Sequence, residues 1–282
     1  MNQFCGGSCE VCKMPKCYRC DSQPCTCADG ITLYNADCLD VLPLLEPGSI
    51  DLVLADPPYG ATRLHWDKSG LVDWIRAPSY LATGAVVLSF ANWKFGQQLC
   101  NAAPATLPFR YELVWVKNMP TRPLDANRRP LGNHEFVLVF GGTRYTVVKI
   151  ARKHGSVKGG SHMKHPKAAC GKHYQTVLRT AYRWNPDAAF PVSAMSIAKQ
   201  GNYGASNGKR EDKHPTRKPL EYVTWLTETY SDAGAMVIDP FAGSGTTGRA
   251  CKDVGRRCIL IEIEEKYCAL AARRLEQGVL FS

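Results

Sequence analysis

No stretch of this 282-residue chain approaches eighteen consecutive apolar residues, and no charged-then-apolar leader opens it. The first absence excludes a spanning helix and the second a secretory signal, so the chain is expected to be soluble and cytoplasmic. Acidic charge is scarce in the middle of the sequence. Between Lys117 and Lys218 there are 20 Lys and Arg against 5 Asp and Glu, a surplus of fifteen, whereas the remainder holds 15 against 20. The overall +10 is therefore concentrated in one segment, the footprint of a polyanion partner rather than of a generally solvated surface. Periodicity is missing from residues 142–213, which are rich in Gly, Lys, His and Ser. Missing too is an even cysteine count: the 13 cysteines argue against a disulfide framework in a cytosolic chain. With 45% hydrophobic residues, the length suits one doubly wound α/β domain carrying a smaller insert.

What is present is organised around Asp56-Pro57-Pro58-Tyr59-Gly60. The run Ile50-Asp51-Leu52-Val53-Leu54-Ala55 before it is short, rich in branched residues and bounded by turn formers, as a buried strand is. Two prolines then stop the hydrogen-bond ladder and keep the backbone extended. A carboxylate, outward carbonyls and an aromatic ring are thus held at the C-terminal edge of a strand, where open α/β sheets place their ligands. Such a set fits an exocyclic base amine, a poor nucleophile whose lone pair is delocalised into the ring. Asp56 and the Pro57 carbonyl would accept its N–H groups and free the lone pair, and Tyr59 offers a face for an unstacked base. Alone, the same residues serve equally as a Pro-rich turn with a capping Asp.

A second motif follows the strand-like Ala235-Met236-Val237-Ile238. Asp239-Pro240-Phe241-Ala242-Gly243-Ser244-Gly245-Thr246-Thr247 leads into a helical pattern, and Arg257-Cys258-Ile259-Leu260-Ile261 forms the next strand, ending at Glu262. Strand, Gly-rich turn and helix start bring backbone N–H groups against an anionic or nucleoside ligand, and an acid about twenty residues later meets ribose hydroxyls. Gly243, Gly245 and Gly248 also complete a dinucleotide-type GxGxxG, so this loop alone does not separate the two ligand classes.

Taken together these motifs resemble the amino-methylating DNA methyltransferases, which use S-adenosylmethionine to methylate adenine N6 or cytosine N4. The matching stretches are Asp56 to Tyr59, His214-Pro215-Thr216-Arg217-Lys218-Pro219, Phe241 to Thr247, and Glu262, within residues 31–282. Their order, with a basic insert between the halves, is similar to the β group of that family. Arg217 stands where the family commonly has glutamine. The resemblance implies a doubly wound, mostly parallel seven-stranded Rossmann-like sheet and target recognition by the 142–213 insert. It implies catalytic Asp56, Pro57, Pro58 and Tyr59, and cofactor contacts from Asp37, Lys218, Asp239, Phe241, Gly243, Gly245, Thr246 and Glu262. The base would be adenine in preference to cytosine N4. An RNA or protein N-methyltransferase and a catalytically silent DNA-binding protein are the rival readings. It further implies a bacterial or phage-encoded enzyme acting on double-stranded DNA, with a homodimer as a candidate assembly and restriction-modification as a setting. Asp37 has a second reading, as N-cap of the helical pattern at Leu39, Val41, Leu42 and Leu45.

Seven cysteines lie in the first 27 residues. Cys9-x2-Cys12 and Cys17-x2-Cys20 are two thiolate hooks of the kind tetrahedral zinc takes, and residues 1–30 are too few to bury a core of their own. The expectation is a small zinc module held by Cys9, Cys12, Cys17 and Cys20, with a disordered Cys-rich tail as the alternative reading. In the insert, His162-x2-His165-x4-Cys170-x2-His173 repeats that spacing, a pattern a His-rich basic loop also produces by chance. Tyr174, Tyr182, Trp184 and Tyr203 interleave with the cations there, as in segments that read DNA. Near the end, Gln277-x2-Leu280-Phe281 resembles peptides that dock into the bacterial sliding clamp, and equally an apolar tail that packs back on the sheet.

Overall fold

The computed structural model describes residues 14–23, 25, 27–59, 71–76, 78–121, 127–128, 130–148, 150–151, 188–189, 193–196 and 217–277. They divide into two compact units, residues 1–146 with 193–282, and residues 147–192. In the second unit the described residues form one short antiparallel pair, Ile150–Ala151 with Ala188–Ala189.

Among the described residues, the strands of the first unit are β1 (Ile31–Asn35), β2 (Ile50–Ala55), β3 (Leu81–Ala91), β4 (Phe109–Thr121), β5 (Gly132–Gly141), β6 (Ala194–Ser196), β7 (Met236–Asp239) and β8 (Arg257–Glu262). They form one sheet in the order β1-β8-β7-β2-β3-β5-β4-β6. Every pair from β1 to β3 is parallel, β3-β5 and β5-β4 are antiparallel, and β4-β6 is parallel again. The central strands β2, β7 and β8 are apolar almost without interruption because both of their faces are covered.

The main helices are α1 (Cys38–Val41), α2 (Trp93–Ala102), α3 (Leu220–Tyr230), α4 (Thr246–Asp253) and α5 (Glu265–Glu276). Helix α5 buries Tyr267, Ala271 and Leu275 at four-residue spacing, the stripe a helix needs to lie on a sheet. Tyr34, Val53, Val87, Phe140, Ile238 and Ile261 belong to one core with Phe95 and Leu99 of α2. Burying each such side chain contributes roughly 1.5–3 kcal/mol, so an Ile238→Ala cavity costs about 2–5 kcal/mol.

Eight strands stand where seven were expected. The extra one, β6, pairs with β4 through Val114, Trp115 and Val116. Its three residues lie in the segment without periodicity, and so short a strand leaves no alternation to read. The helical pattern from Leu39 breaks into α1 and a 3-10 turn over Leu42–Leu44, since Pro43 has no N–H to continue an α-helix. A further 3-10 turn lies at Asp73–Ile75.

Candidate active site

Strand order places the site. From β2 the chain continues outward to β3, whereas from β7 it continues through α4 to β8 on the opposite side. β2 and β7 are neighbours whose connections diverge, and a crevice opens beyond the carboxyl ends of such a pair. Asp56 follows the end of β2, and Asp239 ends β7. Between them and β8 lies a cavity of about 670 Å3. Its wall includes Asp56 and Pro58, Lys218, the Asp239–Ser244 turn with Thr246, and Glu262; Asp37 lines it as well.

On the β2 side, Lys218 is buried, 7% exposed, and its ammonium donates to both carboxylate oxygens of Asp56 at 2.6 Å. The same nitrogen lies 3.4 Å from Glu135 of β5, whose other oxygen accepts from Lys117 of β4. Two acids and two ammonium groups therefore alternate across the sheet. Burial pushes the Glu135 carboxyl up, but Lys218 and Lys117 outweigh it and hold the group at about 2. Burial likewise opposes charge on Lys218, and the nearby Asp56 and Glu135 reverse that, so the ammonium stays charged. Asp56 is raised by burial and by Glu135, against the pull of Lys218.

Tyr59 packs against Phe95 with ring centroids 6.0 Å apart, and its backbone carbonyl accepts from Asn92 Nδ2 at 3.4 Å. Asn92 is also the N-cap of α2, with Oδ1 accepting from Phe95 N at 2.9 Å, so one side chain ties the loop after β2 to that helix. The Lys218 ammonium lies 4.6 Å from the Phe90 ring centroid and 5.9 Å from that of Tyr59, both within cation–π range.

On the β7–β8 side, Asp239 organises the Gly-rich turn. Its Oδ1 accepts from Phe241 N at 2.9 Å, and its Oδ2 from the Thr247 hydroxyl at 2.5 Å. Burial, with the Asp56 and Glu262 charges adding, pushes this carboxyl up to about 7 despite those bonds. Glu262 accepts from Gly243 N at 2.7 Å and from Glu264 N at 2.8 Å, which fixes the acid and the turn to each other. Gly245 opens α4 with φ +73°, and a Cβ there would stand 2.8 Å from the Ala271 Cβ of α5. A Cβ on Gly248 would stand 2.6 Å from Leu260, so the helix approaches the sheet only because that side chain is absent.

The structure thus gathers Asp56, Pro58, Asp37, Lys218, Asp239, Phe241, Gly243, Thr246 and Glu262 around one cavity. Pro57, between Asp56 and Pro58, is buried. Asp37 lines the cavity and also caps α1, accepting from Leu39 N at 2.9 Å. Lys218 lines the cavity too, with its ammonium on the Asp56 carboxylate. Glu135, Lys117 and Asn92 were not anticipated. The signal for Glu135 was available, as it is one of the 5 acids between Lys117 and Lys218 and opens the apolar run Phe136 to Phe140. Of the expected metal ligands, Cys17 and Cys20 come together with Cys25 and Cys27, while Cys9 and Cys12 lie outside the described residues. His214, the 162–173 spacing, the four insert aromatics and Leu280-Phe281 also lie outside them. No described helix is long and apolar enough to cross a membrane.

A family model described as DNA methylase matches residues 50–273. The DNA adenine methyltransferase YhdJ of Escherichia coli (strain K12) is 25% identical over 270 residues, covering 89% of this chain and 84% of that protein. The crystal structure of the M1.HpyAVI–SAM complex superposes with a TM-score of 0.57 at 22% identity, over 88% of this chain and 100% of that one. The PvuII DNA methyltransferase (cytosine-N4-specific) gives 0.57 at 16% identity, over 90% and 88% of the two chains. At these identities the two structures establish a shared fold.

Proposed function

The chain belongs to the DNA methylase family that acts on adenine N6 or cytosine N4, and from that premise we propose that it transfers a methyl group from S-adenosylmethionine to the N6 amine of adenine at a specific DNA site. The observation that carries this reading is the single cavity running from the Asp56 carboxylate to Glu262 and Asp37. Its volume is within the range of small-molecule sites, and its walls combine apolar groups such as Phe241, Ile261 and Leu71 with a few carboxylates. Such a donor set fits a nucleoside bearing a positive sulfonium and an ammonium. Glu262 would meet the ribose, Asp37 the adenine side, and the Asp239–Thr247 turn the methionine end; when bound there, the cofactor supplies an electrophilic methyl group.

The remaining work falls to the chain's own residues. The target base is flipped out of the duplex, which costs a few kcal/mol, and stacks on Tyr59. Asp56 and the Pro57 carbonyl accept the two amine N–H groups, which localises the nitrogen lone pair for direct attack. Lys218 keeps Asp56 in one orientation, since both carboxylate oxygens face its ammonium. No covalent enzyme intermediate is required. Cys38 lines the same cavity, but burial, with the Asp37 charge adding, pushes its thiol up to about 12, so it stays protonated. The 142–213 insert, with its Lys and Arg, supplies phosphate contacts and target recognition. Adenine is preferred over cytosine because the YhdJ adenine methyltransferase is similar over most of the chain.

The test is expression in a methylation-free bacterial host followed by sequencing of plasmid DNA for modified bases. N6-methyladenine in one short context is expected. N4-methylcytosine in its place would change the base and keep the mechanism, whereas unmodified DNA from soluble, cofactor-binding protein would refute the assignment.

A further inference from the structure

The geometry points to a structural metal site that replaces the one expected from hook spacing: Cys17, Cys20, Cys25 and Cys27 hold one zinc-class ion as a tetrathiolate, and the resulting knuckle seals the free edge of β1. The four Sγ atoms lie within 4.8 Å of one another. Cys17–Cys25 is 3.2 Å, Cys20–Cys25 3.8 Å and Cys17–Cys27 4.0 Å. Sulfurs placed about 2.3 Å from a tetrahedral zinc are separated by about 3.8 Å, in the middle of that spread. Cys25 approaches Cys17 and Cys20 together, which four ligands around one centre require and pairwise disulfides do not. The backbone conforms to the same demand. Cys17 N donates to Ser22 O at 3.0 Å and Asp21 N to Cys17 O at 2.8 Å, closing a turn over the first hook. Asp21, with φ 51°, is the one non-glycine with positive φ among the described residues. Aspartate enters the left-handed region more readily than most residues, and here it closes the turn over the hook.

Among the described residues the knuckle has little else to fold around, since Met14 and Cys17 are its buried apolar residues there. Yet it is docked firmly. Tyr18 N donates to Leu33 O at 2.7 Å and Arg19 Nη1 to Ile31 O at 2.7 Å, so it takes carbonyls of β1, the last strand on its side of the sheet. Arg19 is itself fixed by two 2.8 Å bonds to Asp29. An ion that gathers four thiolates would supply the ordering energy the segment lacks, and the edge it covers is the kind that otherwise recruits other chains.

The test begins with the full chain, purified under reducing conditions in the presence of zinc, and its metal content. About one zinc per chain is expected, with replacement by cobalt(II) giving the intense visible bands of tetrahedral thiolate coordination. Cys25→Ser and Cys27→Ser, both at partly exposed positions, are expected to lower zinc affinity at least tenfold, and Cys9→Ser and Cys12→Ser to leave it unchanged. A metal-free reduced chain would overturn the assignment. So would zinc that survives both Cys25→Ser and Cys27→Ser but is lost with Cys9→Ser, or a disulfide among the four in anaerobically purified protein.

Discussion

Replacing Lys218 by Met keeps the length of the side chain and removes the charge that Asp56 and Glu135 share. Asp56 Oδ1 lies 2.6 Å and Glu135 Oε2 3.4 Å from the same nitrogen, so these two oxygens stand no more than 6.0 Å apart. Without the ammonium they repel by about 3 kcal/mol at an effective dielectric of about 20, equivalent to roughly two pKa units. Glu135 keeps Lys117, so Asp56 is the group that takes up the proton. Its carboxyl, already raised by burial, rises further above its unfolded value. The sign follows from linkage: a raised folded pKa favours the protein at low pH and is lost as pH climbs through that pKa. The variant should therefore lose about 3–5 kcal/mol at pH 7, the typical cost of removing one member of a buried ion pair, and less as the pH falls. The acidic limb of its kcat/KM profile should move up by about two units. Urea melts at several pH values and single-turnover methyl transfer measure the two effects. Adding Glu135→Gln removes the repulsion and should return part of the stability. A loss below about 1 kcal/mol at pH 7 together with an unmoved acidic limb would refute the reasoning.

Asp56→Ala should abolish DNA methylation, by about a hundredfold or more, while cofactor affinity measured by calorimetry stays within a few-fold; full activity would remove Asp56 from the mechanism. Gly245→Ala forces a Cβ to 2.8 Å from Ala271 at φ +73°, so it should lower stability by about 1–3 kcal/mol, and unchanged thermal melting would contradict the close approach of α5. The Asp239 carboxyl titrates at about 7, above its ordinary value of 3.8, so its contribution to stability is full at low pH and fades as the pH rises through about 7. Asp239→Asn should consequently gain on the parent across that window, by up to about 4 kcal/mol. Parallel stability curves for the two proteins would contradict it.

The Asp56–Tyr59 and Gly-rich motifs were legible because each is contiguous and attached to the end of a strand, where sequence order and spatial placement coincide. Glu262 was legible for the same reason. Lys218 was assigned to the cofactor from its motif, yet its ammonium sits on Asp56, 162 residues away in the chain, and no local pattern encodes that pairing. Glu135 and Lys117 complete the alternation of charge through strand pairing between β4 and β5, a register that only the folded sheet supplies. Among seven N-terminal cysteines, hook spacing picked out Cys9 and Cys12. Among the described residues the fold sets Cys25 and Cys27 beside Cys17 and Cys20, where the left-handed turn at Asp21 brings the chain back on itself. β6 went unread since its pairing comes from β4 and not from its own three residues.

Strand order also sets the time at which this protein becomes an enzyme. β8 and β7 lie between β1 and β2, so the first two strands made are not neighbours in the sheet, and β1 finds its partner only when residues 257–262 have been made. At about 5–20 residues per second, roughly ten to forty seconds of synthesis separate the emergence of β1 from that of β8. Over the last forty or so residues of that interval, roughly two to eight seconds, the ribosome carries a chain whose basic segment is already complete and whose cavity is not. The two walls of the cavity, Asp56 after β2 and Asp239 to Glu262 on β7 and β8, come together only once β8 has been made.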